Sequence, residues 1–283
     1  MPCPDLYCVI GNPVAHSRSP WIHARFAELT GQVLTYERLL APQDGFAAAL
    51  AALAARGGRG CNVTVPFKHQ AAQCAHSASA RVQLAGAANT LVLQPDGQIH
   101  ADNTDGLGLV ADIVQGAGLA LAGRDLLLVG AGGAAAGVLA PLLLQQPRRL
   151  LVTNRTLARA QALVARHAEL AALQKVELFA MDTQGLDGDF DLVINATASS
   201  LAGAGVPVPP GLLRAGGLGY DMMYGAGAQD FLDWAQAQGG QARDGLGMLV
   251  QQAAAAFALW RGVQPPAAQV LQELRAAMAA GQA

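Results

Sequence analysis

Short apolar runs alternate with longer stretches whose apolar residues recur at helical spacing, and the alternation extends along almost the whole chain. Tyr7-Cys8-Val9-Ile10 is stopped by Gly11-Asn12-Pro13, and after Ser19-Pro20 the residues Trp21, Ile22, Ala24, Phe26, Ala27 and Leu29 follow a helical period. Leu34 to Leu40 predicts a strand, and Phe46 to Arg56 an Ala/Leu helix closed by Gly57-Gly58. Cys61 to Val65 alternates with period two, stops at Pro66 and leads into a helix from about Lys68. Asn89 to Leu93, the turn Pro95-Asp96-Gly97 and Ile99 to Ala101 predict a hairpin. A polar cluster, Asp102-Asn103-Thr104-Asp105-Gly106, and a helix over Leu107 to Val114 come next.

A second β–α series runs through Leu126 to Val129, Leu150 to Thr153, Asp191 to Asn195 and Gly217 to Met222. From Gly247 the chain is helical and Ala-rich, interrupted by Pro265-Pro266. Repeated β–α alternation predicts an α/β fold with parallel or mixed sheets covered by helices. At 283 residues the chain divides more naturally into two modest domains than into one.

Charge narrows the partners. Lys and Arg number 18 against 20 Asp and Glu, a net charge of −2, so no basic excess exists to meet a polyphosphate. Nucleic acid is therefore excluded as the main partner in favour of a small molecule. The start Met1-Pro2-Cys3-Pro4-Asp5 lacks a basic segment followed by an apolar one, so no secretory signal is expected. Cys3, Cys8, Cys61 and Cys74 show no C-x-x-C spacing, which predicts reduced thiols in a cytoplasmic protein and no metal site. His16, His23 and His69 are read as surface or core residues.

Residues 126–146 carry no charge, a run long enough on hydropathy alone to span a bilayer. Its internal pattern says otherwise. Leu126 to Val129 runs into Gly130-Ala131-Gly132-Gly133-Ala134-Ala135, the strand, Gly-x-Gly-x-x-Ala and helix start of a dinucleotide site. Gly130 would make the tight turn, Gly132 would admit the pyrophosphate, and Ala135 would let helix and sheet pack closely. The helix start then offers N–H groups to phosphate. About 20 residues on, where an NAD site has an acid for the ribose hydroxyl, this chain has Asn154-Arg155-Thr156, with Arg159 one turn later. A guanidinium binds a 2′-phosphate that a carboxylate would repel, which favours NADP over NAD.

Lys68 stands at a strand-to-helix turn and Asp105 in the polar cluster, positions where a proton donor and its partner can be held. Each also has a plain structural reading: a solvated Lys at a helix start, and an Asp capping the next helix. Ser19 before Pro20 likewise has the form of an N-cap.

The motifs accumulate along the chain. Gly11 to Pro20, Asn62 to Lys68, Gly86 to Thr90, Asp102 to Gly106, Gly130 to Ala134, Asn154 to Thr156, Asn195 to Thr197, Tyr220 to Tyr224 and Asp244 to Gln252 together resemble the shikimate dehydrogenase family, in the family's order. The resemblance implies NADPH-linked reduction of 3-dehydroshikimate to shikimate in aromatic amino-acid biosynthesis. Position by position, it implies that Ser17, Ser19 and Tyr224 hold the substrate carboxylate, and that Thr64, Lys68, Asn89, Asp105 and Gln252 bind the ring hydroxyls and the ketone. Lys68 and Asp105 would be the catalytic pair. Gly130, Ala131, Gly132, Gly133, Ala134, Asn154, Arg155, Thr156, Arg159, Met222 and Gly245 would hold NADP.

The implied fold has an N-terminal substrate domain over 1–104, a Rossmann-type NADP-binding domain over 105–246, and C-terminal helices over 247–283 that return to the substrate domain. The protein would be a monomer or homodimer, with no membrane partner. Ala135-Ala136 depart from the polar residues common in relatives, which removes side-chain contacts to phosphate while leaving backbone contacts. Gln251 beside Gln252 leaves the glutamine register to be decided, with spacing from Gly247 favouring Gln252. Two alternatives stay open: a quinate/shikimate dehydrogenase, and a catalytically idle NADP-binding regulatory homologue.

Overall fold

The strands and helices expected from the pattern are present in the computed structural model, which describes residues 4–197, 206 and 208–282. The chain forms two units, one from Met1–Gly108 with Leu249–Ala283 and one from Leu109–Met248.

In the first unit the elements are β1 (Asp5–Gly11), α1 (Ser19–Thr30), β2 (Leu34–Leu40), α2 (Phe46–Ala55), β3 (Gly58–Val63), α3 (Lys68–Gln73), β4 (Ser77–Ala78), α4 (Ala80–Ala85), β5 (Thr90–Leu93), β6 (Ile99–Asp102) and the start of α5 (Asp105–Ala111). The sheet order is β2-β1-β3-β5-β6-β4. β1 runs parallel to β2 and β3, whereas β5 is antiparallel to β3 and β6, as the hairpin requires. Cys8, Ile10, Phe46, Leu53, Phe67 and Leu91 form part of its core. This burial of alternate strand positions against helix faces is the main stabilising contribution.

The last helices, α9 (Leu246–Arg261) and α10 (Ala267–Ala279), contribute to the same unit from residue 249 onward. Arg25 on α1 holds Glu273 on α10 through two hydrogen bonds of 2.6 and 3.0 Å, and Trp260 Nε1 donates to the Leu91 carbonyl at 3.0 Å. His23 lies in this contact, fully buried and stacked on Tyr36 at 4.2 Å. Burial pushes its pKa down to about 3, so it is a neutral core residue, while His16 and His69 are exposed.

A π-helical turn at Asp112–Gly116 follows α5. The second unit then contains β7 (Asp125–Val129), α6 (Gly133–Leu143), β8 (Arg149–Thr153), α7 (Leu157–Gln174), β9 (Glu177–Met181), β10 (Phe190–Asn195), β11 (Leu213–Asp221), α8 (Gln229–Ala237) and β12 (Gln241–Arg243). All neighbours in the sheet β12-β11-β10-β7-β8-β9 are parallel. Counted from β7, that is the doubly wound dinucleotide-binding order, with the switch point between β7 and β10. The central strands are buried on both faces, which is why Leu126 to Val129 reads as an unbroken apolar run.

The charge-free run 126–146 is thus a strand, a loop and α6, with Pro141 inside the helix. Among the described residues no helix is long and apolar enough to cross a membrane. Other details differ from expectation. Arg18, not Ser19, occupies the N-cap position of α1, and no side chain caps that helix. Asp105 is the first residue of α5, β3 stops at Val63, and β4 and α4 carry too short a pattern to be anticipated. Cys8, Cys61 and Cys74 are free thiols; Cys3 lies outside the described residues.

Candidate active site

In the first unit the carboxyl ends of β1 and β3 lie side by side. Asn12 N–H donates to the Val65 carbonyl at 2.9 Å, and Thr64 N–H donates to the Ile10 carbonyl at 2.9 Å. A Cβ on Gly11 would lie 2.3 Å from Thr64 Cγ2, so a side chain there would displace that of Thr64. The loop after β1 carries Ser17 and leads to Ser19, the first residue of α1, whose N–H donates to Ser17 Oγ at 3.3 Å. The loop after β3 carries Thr64 and delivers Lys68 at the start of α3, where the Lys68 carbonyl accepts from Ala88 N–H at 2.8 Å.

Lys68 Nζ donates to Asp105 Oδ2 at 2.5 Å, with the two side chains only 17 % and 8 % exposed. The other carboxylate oxygen faces Asn89 Nδ2 at 2.8 Å. The same amide nitrogen lies 3.0 Å from Thr104 Oγ1 and 3.1 Å from Gln252 Oε1, and Asn89 Oδ1 accepts from Thr104 N–H at 2.8 Å. Gln252 is in turn oriented by donating to the Leu249 carbonyl at 2.8 Å. Thr64, Lys68, Asn89, Asp105 and Gln252 therefore come from five separate elements or loops of the first unit. Gln252 is buried and meets Asn89, whereas Gln251 is half-buried.

The 102–106 segment is anchored from outside the site. Asp102 accepts from Ser79 Oγ at 2.6 Å and from the Arg81 guanidinium at 2.7 and 3.1 Å. Burial by itself raises its pKa, but the Arg81 and Ser79 contacts outweigh burial and hold the carboxyl below its ordinary value. Thr90 and Asn62 extend the polar set inward, with Asn62 Nδ2 donating to Thr90 Oγ1 at 3.1 Å and Tyr36 donating to Asn62 Oδ1 at 2.7 Å. Thr104 and Asn62 stand in motifs that drew no role for them in the sequence. Their signal there is only a polar residue next to a strand end.

An ammonium has three donors, and Asp105 uses one, so Lys68 can donate to a ligand oxygen while its position is held. The arrangement suits delivery of a proton to a developing alkoxide.

In the second unit Gly130 has φ +115, and a Cβ there would lie 3.1 Å from the Ala196 carbonyl oxygen. Gly132 is the N-cap of α6 in extended conformation, and a Cβ there would project into open space above the helix start. Gly132 has no side chain to cap α6, which leaves first-turn N–H groups without a cap acceptor from it. Ala135 is fully buried beneath them. At the end of β8, Asn154 Nδ2 donates to the Thr156 carbonyl at 3.0 Å and shapes the turn, while Arg155 and Arg159 are exposed. Uncapped donors at the start of α6 and two exposed guanidinium groups past β8 are the kinds of group that NADP requires, so the residues fit it. Met222 and Gly245 lie past β11 and β12; Gly245 N–H donates to the Met223 carbonyl at 2.8 Å, and a Cβ on Gly245 would lie 2.2 Å from the Met222 oxygen. Tyr224 is half-buried in the same unit.

Comparison with known proteins gives the same reading. Residues 9–91 match the shikimate dehydrogenase substrate-binding domain, residues 110–202 the shikimate/quinate 5-dehydrogenase family, and residues 245–275 the shikimate 5′-dehydrogenase C-terminal domain. A shikimate dehydrogenase (NADP(+)) of Acidovorax sp. strain JS42 is 73 % identical over 277 residues, covering 98 % of each chain. Among solved structures, an Ael1 enzyme from Pseudomonas putida is 43 % identical with a TM-score of 0.86, covering 95 % of this chain and 98 % of its own. The shikimate 5-dehydrogenase of Thermus thermophilus, in complex with NADP(H) and shikimate, is 30 % identical with a TM-score of 0.80, covering 96 % of this chain and 99 % of its own. With this identity over nearly its whole length, the chain belongs to the shikimate dehydrogenase family.

Proposed function

We propose that this chain catalyses the reversible NADPH-linked reduction of 3-dehydroshikimate to shikimate, and that the Lys68–Asp105 pair carries the proton chemistry. The observation that supports this most directly is the 2.5 Å contact between Lys68 Nζ and Asp105 Oδ2, set among Asn89, Thr104 and Gln252. NADPH, when bound, supplies the hydride. As the carbonyl carbon accepts it, Lys68 donates a proton to the carbonyl oxygen, and its positive charge stabilises the forming alkoxide. Asp105 orients Lys68 and accepts a hydroxyl of the substrate ring, while Thr64, Asn89 and Gln252 bind neighbouring ring oxygens. Ser17, Ser19 and Tyr224 hold the substrate carboxylate through hydroxyl donors.

Residues 1–104 and 247–283 form the substrate-binding part in this reading, and 105–246 the NADP-binding part. The phosphates are held by Gly130, Ala131, Gly132, Gly133 and Ala134. Arg155 and Arg159 bind the 2′-phosphate, with Asn154 and Thr156 shaping their turn, and Met222 and Gly245 lie at the other end of the dinucleotide. The enzyme acts as a monomer or homodimer in the cytoplasm, a compartment consistent with the free thiols Cys8, Cys61 and Cys74. The test is to mix purified protein with shikimate and NADP, and separately with quinate and NAD, and to follow reduced-nicotinamide absorbance. A faster shikimate–NADP signal is expected. A faster quinate–NAD signal favours the quinate enzyme, and no turnover with either favours an idle homologue.

A further inference from the structure

Two polar residues of the second unit's motifs stand outside the chemistry of Lys68 and Asp105. They are Asn195, which closes β10, and Asp221, which closes β11. They face each other across the sheet. Asn195 Nδ2 donates to Asp221 Oδ2 at 3.0 Å, and the residues are 1 % and 0 % exposed. Their remaining oxygens reach into the two loops that follow. Asn195 Oδ1 accepts from Thr197 N–H at 3.1 Å and from its hydroxyl at 2.7 Å, and Asp221 Oδ1 accepts from Met223 N–H at 2.8 Å.

Backbone contacts extend the tie. Met222 N–H donates to the Asn195 carbonyl at 3.0 Å, and Gly245 N–H to the Met223 carbonyl at 2.8 Å. Ala196, next to Asn195, supplies the carbonyl against which Gly130 packs. One amide and one carboxylate thus link the ends of β10 and β11, and through the backbone they reach the Gly245 turn and the glycine loop.

Asp221 presents an acceptor to each of two donors, Asn195 Nδ2 and Met223 N–H, which an amide at this place could not do. A buried charge costs more than a buried amide of the same shape. The charged group whose field reaches Asp221 is Asp244, on the turn carrying Gly245, and it has the same sign. Burial pushes the Asp221 carboxyl up to about 6, against the pull of Met223 N–H and the Asn195 amide, and Asp244 adds to the rise.

The sheet order says which half of the cofactor this corner serves. A dinucleotide whose pyrophosphate lies at the β7–α6 loop and whose adenosine lies over β8 directs its other half over β10 and β11, on the opposite side of β7. We infer that Asn195 and Asp221 are a positioning pair for the nicotinamide half of NADP(H), acting through Met222 and Gly245 without touching the cofactor. This rests on the NADP reading of the second unit.

The pair can be tested by exchanging its members. Asn195→Asp alone sets two carboxylates against each other, and Asp221→Asn alone sets two amide donors against each other. The double variant N195D/D221N restores every hydrogen bond with the roles reversed, because the outer oxygens still accept from Thr197 and Met223. Binding of NADP+ and of adenosine 2′,5′-bisphosphate, which lacks the nicotinamide, is measured by calorimetry for all four full-length proteins, with kcat alongside.

Each single variant is expected to bind NADP+ about tenfold more weakly and to lose about tenfold in kcat, with the bisphosphate affinity held within about twofold, and the double variant to recover most of both losses. Single variants that match wild type, equal losses for both ligands, or a double variant no better than the worse single would overturn the inference. A single variant that does not fold leaves the decision to the double. Failure of the wild-type protein to bind NADP+ would instead overturn the reading of the site beneath it.

Discussion

Lys68 Nζ and Asp105 Oδ2 meet at 2.5 Å, and Asn89 Nδ2 holds the second oxygen of the same carboxylate at 2.8 Å. An Asp105→Asn substitution keeps the shape and the Asn89 neighbour but removes the charge that fixes the ammonium. We expect kcat to fall about 100-fold with a smaller change in KM for shikimate, measured by steady-state kinetics. Undiminished kcat would remove Asp105 from the mechanism.

The glutamine register makes a sharper test of the site than the motif alone. Gln252 Oε1 lies 3.1 Å from Asn89 Nδ2, while Gln251 takes no such place. Gln252→Ala is expected to raise KM for shikimate about tenfold, the loss of one hydrogen bond within a polar network, and Gln251→Ala to leave it within about twofold. The reverse ranking would shift the α9 contact by one residue.

Arg155 is exposed at the turn between β8 and α7, where it is available to a 2′-phosphate. Arg155→Ala is expected to raise KM for NADP by about tenfold or more and to leave the weaker NAD-linked rate unchanged, because a charge-assisted bond of about 1.5–3 kcal/mol is lost with only one of the two. Equal losses with both nucleotides would contradict a 2′-phosphate role.

Asp221 gives a pH signature to stability. Its folded carboxyl titrates at about 6, above the ordinary 3.8, chiefly because it is buried. Between those values the folded chain keeps a proton that the unfolded chain has released, so stability falls as pH rises through that window. Urea unfolding of wild type and Asp221→Asn from about pH 4 to about pH 7 should show wild type losing up to about 3 kcal/mol relative to the variant. A difference independent of pH would mean that the carboxyl is not displaced upward.

Much of this is legible in the chain, for reasons that differ by place. Gly130 announces itself because a positive φ beside the Ala196 carbonyl excludes side chains, and the apolar run Leu126 to Val129 because a parallel strand is buried on both faces. Lys68 and Asp105 are visible as candidates at strand and helix ends, each with a plain structural reading beside the chemical one. What holds them is not visible, since Asn89 and Gln252 are 163 residues apart and no local period relates them. Asn195 and Asp221 can be seen as motif residues, but their pairing exists only once β10 and β11 are parallel neighbours in register. β4 and α4 leave no trace in the pattern because two and six residues carry too little periodicity.

In the proposed reaction Lys68 supplies the proton of an NADPH-linked ketone reduction. The most direct test of that role is steady-state reduction of 3-dehydroshikimate by NADPH with wild type and Lys68→Ala, resolved into kcat and KM. A kcat lowered by about 100-fold or more with KM within a few-fold is the predicted result, because the interaction is made in the transition state. An unchanged kcat with a raised KM would contradict it and leave Lys68 a binding residue.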